Sequence, residues 1–169
     1  MEFYIYLKME PYLAEWYINE NEGEHPIHLQ RGSVESDIVS LFLMRRPKDK
    51  EPDLGQDANI RIVIPYFKNR DPQYFNYLPE RAKTALVKTI YTRFVVQLWQ
   101  DLHKVENLSG IITEIIYGWM EMHGITPTPE NCETLRQCYY RKRKLYHDSV
   151  ARKAKRQRMK EQKRQESNE

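Results

Sequence analysis

Ala82, Leu86, Ile90, Phe94, Leu98 and Leu102 recur at every fourth position, and Val87, Tyr91, Val95 and Trp99 widen the stripe they make. Side chains four apart share one helix face. The spacing therefore predicts a single helix from about Pro79 to Lys104, about 39 Å long at its usual rise per residue. A rod with so continuous an apolar stripe must be covered by other elements, so it is expected to be the spine of the second half of the chain. Twelve Tyr, five Phe and three Trp in a chain that is 40% hydrophobic supply the covering side chains. A length of 169 residues suits one compact domain, or a small domain with an appendage.

Ahead of the spine, Phe3–Met9 alternates Phe3, Ile5 and Leu7 with Tyr4, Tyr6 and Lys8, the period of a strand. Pro11 opens a short helix over about 10–20, with Leu13, Trp16 and Tyr17 at helical spacing. Ile27–Gln30 follows as a second short strand. Ser33 is placed to cap a helix over Val34–Met44, in which Val34, Ile38, Leu41 and Phe42 form an apolar stripe of the kind that faces a core. Residues 45–58 read as an exposed loop, and Ile60–Ile64 as a strand ended by Pro65. The expected class is α+β: a small β-α-β-α-β unit over 1–66, then a helical part over 67–150 packed with it.

Residues 65–79 form an aromatic, proline-rich connector, whose Tyr66, Phe67, Tyr74, Phe75 and Tyr77 are expected to pack it against the domain, with a base-stacking platform beside Lys68 and Arg70 as the alternative. After the spine, Asn107–Gly110 breaks the helix, and a second helix over about 110–123 sets Ile111, Ile112, Ile115, Ile116 and Trp119 on one side. Gly124 suits the residue that ends it. Thr128 caps a third helix with Pro129 in its first turn. Leu135, Cys138, Tyr139 and Leu145 keep an apolar stripe into the 140s, whereas residues 151–169 form a basic extension that is polar on all sides.

Charge is where this chain becomes specific. The net charge is only +3, yet residues 1–66 carry −5, residues 67–134 −1 and residues 135–169 +9. Thirteen Lys and Arg stand between Arg136 and Arg164 against only Asp148 and Glu161. A segregated basic arm points to a polyanion, because several cations together release the counterions that drive such binding. A second helix, a turn and a basic third helix also follow the order of a helix-turn-helix, although the turn is longer than the tight form. On that reading Asn131, Thr134, Arg136, Gln137, Arg141 and Lys142 face DNA at the start of the third helix, and Leu135 and Cys138 face the core. Phosphate contacts are expected from Arg141, Lys142, Arg143, Lys144, Arg152, Lys153, Lys155 and Arg156, with Tyr140 among them.

Other chemistry finds less support. Cys132 and Cys138, six apart on one helix, point about 120° away from each other, unlike the close ligand pairs of zinc sites. Phosphate-binding, dinucleotide, metalloprotease and nucleophile-elbow motifs do not occur. We therefore expect no enzyme activity, no metal and no cofactor. The apolar runs are only a few residues long, so no membrane span is expected, and two cysteines fit a reducing cytoplasm.

Three segments, RGSVESDIVSLFL (31–43), IPYFKNRDPQYFNYLP (64–79) and IIYGWMEMHGI (115–125), resemble uncharacterised proteins of Bacteroidetes prophages and conjugative elements. The order of a small α/β unit and a helix-turn-helix loosely resembles Mor-type phage transcription activators, from which the overlong turn departs. The resemblance implies a regulator or accessory factor of a mobile element and assigns no site residues. The expectation is thus a non-enzymatic DNA-binding protein, DNA favoured over RNA, whose acidic N-terminal unit serves homodimer formation or partner contact. The alternatives are a structural module of a phage or conjugation assembly that docks its basic tail on an acidic protein, and an RNA-binding protein.

Overall fold

The computed structural model describes residues 2–105 and 111–166, with side chains as far as Lys163. Within these residues the order is β1 (Tyr4–Leu7), α1 (Pro11–Glu20), α2 (Val34–Phe42), β2 (Ile60–Val63), α3 (Glu80–Val105), α4 (Ile112–Met122) and α5 (Pro129–Glu166). The break expected at 107–110 lies outside the described residues. β1 and β2 pair antiparallel in the register Tyr4↔Val63 to Leu7↔Ile60. The class is α+β, with the helices outweighing a sheet of two strands.

The strand expected at 27–30 shrinks to a single parallel bridge, Ile27↔Ile62. Ile27 donates to the Arg61 carbonyl (2.8 Å) and accepts from Val63 N–H (2.9 Å). The next step of a parallel ladder would call on the N–H of residue 65, which is proline and has none. The unit is therefore two strands and one bridge, not β-α-β-α-β.

α3 follows its sequence pattern closely: Ala82, Leu86, Ile90, Phe94, Leu98 and Leu102 are its buried residues. Four residues turn a helix by about 400°, so the stripe advances about 40° at each step and winds slowly round the rod. It can then meet the N-terminal unit and the later helices in turn. Phe94 sits at the crossing, with ring centroids 5.5 Å from Tyr12, 5.4 Å from Trp16 and 5.8 Å from Trp119. Farther along, Trp99 stacks on Tyr139 of α5 at 5.6 Å. One cluster of buried side chains consequently runs from Ile5 to Tyr139.

α2 departs from expectation in its orientation. Ser33 caps it, accepting from Ser36 N–H at 3.1 Å. Its buried residues, however, are Glu35, Ser36 and Val39, while Val34, Leu41 and Phe42 are exposed. Ile38 alone of the expected stripe packs partly against the core. The reason is an ion pair: Glu35 Oε1 lies 2.6 Å from Arg93 Nη1 of α3, and the Arg93 guanidinium lies over the rings of Trp16 and Tyr17. Turning the apolar stripe inward would pull this carboxylate from its cation.

The connector packs as expected through Phe67 and Phe75, while Tyr66 and Tyr74 stay exposed. The 45–58 loop is largely exposed but not loose. Asp53 lies 2.6 Å from Lys83 Nζ, and Gly55 (φ 66°) rests against the Tyr6 ring, so closely that a Cβ there would fall 2.2 Å from it.

Candidate nucleic-acid interface

The root of α5 is held firmly. Thr128 Oγ1 accepts from Asn131 N–H at 3.2 Å, so the expected cap forms. Glu15 of α1 accepts from both the backbone N–H (2.7 Å) and the hydroxyl (2.9 Å) of Thr126, fastening the turn between α4 and α5 to the N-terminal unit. Gly124, at φ 68°, ends α4, and Ile111 stands exposed just before it. Cys132, Leu135, Cys138 and Tyr139 then bury one side of α5. Tyr91 Oη and Cys138 Sγ meet at 3.5 Å; that bond, with burial, pushes the phenol up to about 12. Burial likewise pushes the Cys132 thiol up. Both thiols are spent in the core, and among the described residues no three His, Cys, Asp or Glu side chains are grouped to hold a metal ion.

Burial of that side leaves the opposite one to solvent. Arg136, Gln137, Tyr140, Arg141 and Lys144, five of the expected residues, line an open groove of about 590 Å³ together with Glu133. Glu133 was not among the expected residues, and it tempers the charge: it lies 2.6 Å from Arg136 and accepts from Gln137 Nε2 at 3.0 Å. The Gln137 amide first, and then the Arg136 cation, hold the Glu133 carboxyl below its usual range. Its place one turn before Arg136 and Gln137 was the available signal.

None of the remaining expected residues lines this groove. Asn131 is committed to the turn, its Nδ2 donating to the Thr126 carbonyl at 3.0 Å. The Thr134 hydroxyl donates back to the Glu130 carbonyl at 2.9 Å. Lys142 and Arg143 are half-buried and do not line the groove: Lys142 points to the opposite side of the helix, and Arg143 lies at the groove's edge, about 20° round from Arg136.

Beyond the body the helix continues as a rod. From Val150 to Lys163 every side chain is exposed, over about 20 Å of helix. At about 100° per residue, Lys155 and Arg158 come into line with Tyr140 and Lys144, whereas Lys153, Arg156 and Lys160 point to the other side. Arg152 donates to the Asp148 carbonyl at 3.2 Å. Arg158 and Lys160 are exposed like the expected Arg152, Lys153, Lys155 and Arg156, Arg158 on the side of the groove and Lys160 on the other.

Chemically, this surface offers several cations and the exposed Tyr140 phenol along an open groove. No described helix is long and apolar enough to cross a membrane. Set against protein-family models, curated proteins and solved structures, the chain matches none of them.

Proposed function

We propose that the chain is a non-enzymatic DNA-binding protein that grips the phosphate backbone with α5. The observation that carries this reading is the form of the helix: a groove with Arg136, Arg141 and Lys144 at its root, continued by a rod in which seven of the fourteen exposed residues from Val150 to Lys163 are Lys or Arg. A helix with no apolar face needs a partner to repay its ordering, and cations on every side suit a polyanion better than a shaped protein pocket. Phosphate contacts position a protein without reading sequence. Asn131 and Thr134, the residues best placed for base edges in a helix-turn-helix, spend their side-chain donors on their own backbone. Affinity therefore comes from phosphates and only weakly from sequence, as fits an accessory factor of a mobile element better than an operator-reading regulator.

The test uses the full chain and a variant with Arg152, Lys153, Lys155 and Arg156 all changed to Gln, a good helix former. Binding to a 20-base-pair DNA duplex and to a structured RNA is measured at low salt. The expected result is a preference for the DNA and a loss of at least about tenfold in the variant. No binding by the wild type, or equal binding by the two proteins, overturns the reading. The first outcome turns attention to an acidic protein partner; a preference for the RNA moves the function to that polymer.

A further inference from the structure

The acidic N-terminal unit holds a second basic surface. Residues 1–66 carry only seven cations, and four of them fall within the six residues Arg45–Lys50. The structure folds this run against residues 73–76, which come from the aromatic connector. Met44 and Tyr77 exchange backbone hydrogen bonds of 3.0 and 3.1 Å, and the two segments leave that bridge side by side. Arg46 Nη2 donates to Asn76 Oδ1 at 3.0 Å, and the Arg45 guanidinium lies over the Phe75 ring at 5.2 Å. The connector side is itself held by Asp71, whose carboxylate accepts from Gln73 N–H at 2.9 Å. Both walls are therefore fixed by contacts that leave Lys48, Lys50 and the Tyr74 ring facing solvent.

The result is an open groove of about 440 Å³, lined by Arg45, Arg46, Lys48 and Lys50 on one side and Gln73, Tyr74 and Asn76 on the other. No acid lines it. Asp49 lies in the run but outside the lining, and Asp71 is taken up by Gln73. Two guanidinium forks held in place, two free ammonium groups and the Gln73 amide match a phosphodiester, which needs several donors and no carboxylate in the lining. Asn76 donates to the Gln73 carbonyl at 3.1 Å and serves to hold the wall. An exposed tyrosine beside them offers a ring for a sugar or an unstacked base. The shape is a shallow trough rather than an enclosed pocket, which suits a stretch of polymer backbone.

We propose that this groove is a second phosphate-binding site for a polynucleotide backbone, separate from α5. The proposal rests on the reading of the chain as a nucleic-acid-binding protein, and it gives the acidic unit a share in that contact. It assigns the Arg45–Lys50 run, read from sequence only as exposed loop, to backbone binding.

The test is the salt dependence of duplex binding by the full chain, its Lys48→Ala/Lys50→Ala variant and the four-glutamine α5 variant. Each lost phosphate contact lowers the slope of log affinity against log salt by about 0.9. The lysine variant is expected to bind with a slope shallower by about 1.8, and to add that change to the one made by the α5 variant. An unchanged slope in the lysine variant, with a reduced one in the α5 variant, overturns this proposal and leaves the function reading standing. Absence of any wild-type binding overturns both. A second measurement needs no substitution: in the wild type, amide resonances of 45–50 and 73–76 are expected to shift as duplex is added. Failure to shift, or saturation of those shifts by micromolar inorganic phosphate with no further change on adding DNA, also overturns it.

Discussion

Glu35 and Arg93 show how unequal the two partners of one ion pair can be. The Glu35 side chain is 4% exposed and that of Arg93 43%. If Arg93 is removed, a carboxylate stays buried beside Trp16 and Tyr17 with its cation gone. If Glu35 is removed, the guanidinium can still meet water. Losing the partner of a buried charge costs about 3–5 kcal/mol, whereas replacing the buried group itself by an apolar one of similar volume can be close to neutral. Arg93→Met is accordingly expected to lower stability by about 3 kcal/mol and Glu35→Met by no more than about 1 kcal/mol. Urea denaturation of the two variants checks this; equal losses would show that the pair is not the constraint on α2. The bond joins residues 58 positions apart, and no local pattern links Glu35 to Arg93. That is why α2's orientation was not legible in sequence, although its cap at Ser33 was.

At the level of elements, α2 gives the sharpest contrast between pattern and packing. Val39 is fully buried, whereas Leu41, on the expected apolar stripe, is 71% exposed. Truncating a buried Val creates a cavity, but changing an exposed Leu removes little from the core. Val39→Ala is expected to cost about 1–3 kcal/mol and Leu41→Lys less than about 0.5 kcal/mol. The reverse order in thermal denaturation would mean that the stripe packs inward. α3 behaves differently because its four-residue series is long enough to outvote any single contact, and all six members are buried. The third strand was illegible for a different reason: Ile27–Gln30 has the right residues, but its extension is blocked by Pro65, two residues past the end of the partner strand. The face of α5 that carries Gln137, Tyr140, Arg141 and Lys144 could be read from spacing, because the same helix supplies its buried side. The Arg45–Lys50 groove could not, since its other wall comes from residues 73–76.

For the molecule as a whole, the organising fact is that apolar burial and positive charge part company along α5. Up to Tyr139 the helix helps close one core that also holds β1, β2, α1 and α3. From Val150 to Lys163 it buries nothing. A net charge of +3 conceals this, because the acids of the first third offset a cationic end that extends away from the core. The arrangement separates stability from the proposed polyanion binding, because the rod's described cations can be changed without touching the core. On the proposed reading the binding is electrostatic in origin, with affinity set by phosphate neutralisation rather than by base contacts. The most direct test is the affinity of the full chain for two DNA duplexes of unrelated sequence, measured across a range of potassium chloride concentrations. Log–log slopes steeper than about −4 are expected for both, with affinities that agree within about threefold at each salt concentration. Slopes between zero and about −1, or one duplex bound more than about a hundredfold tighter than the other, would contradict it.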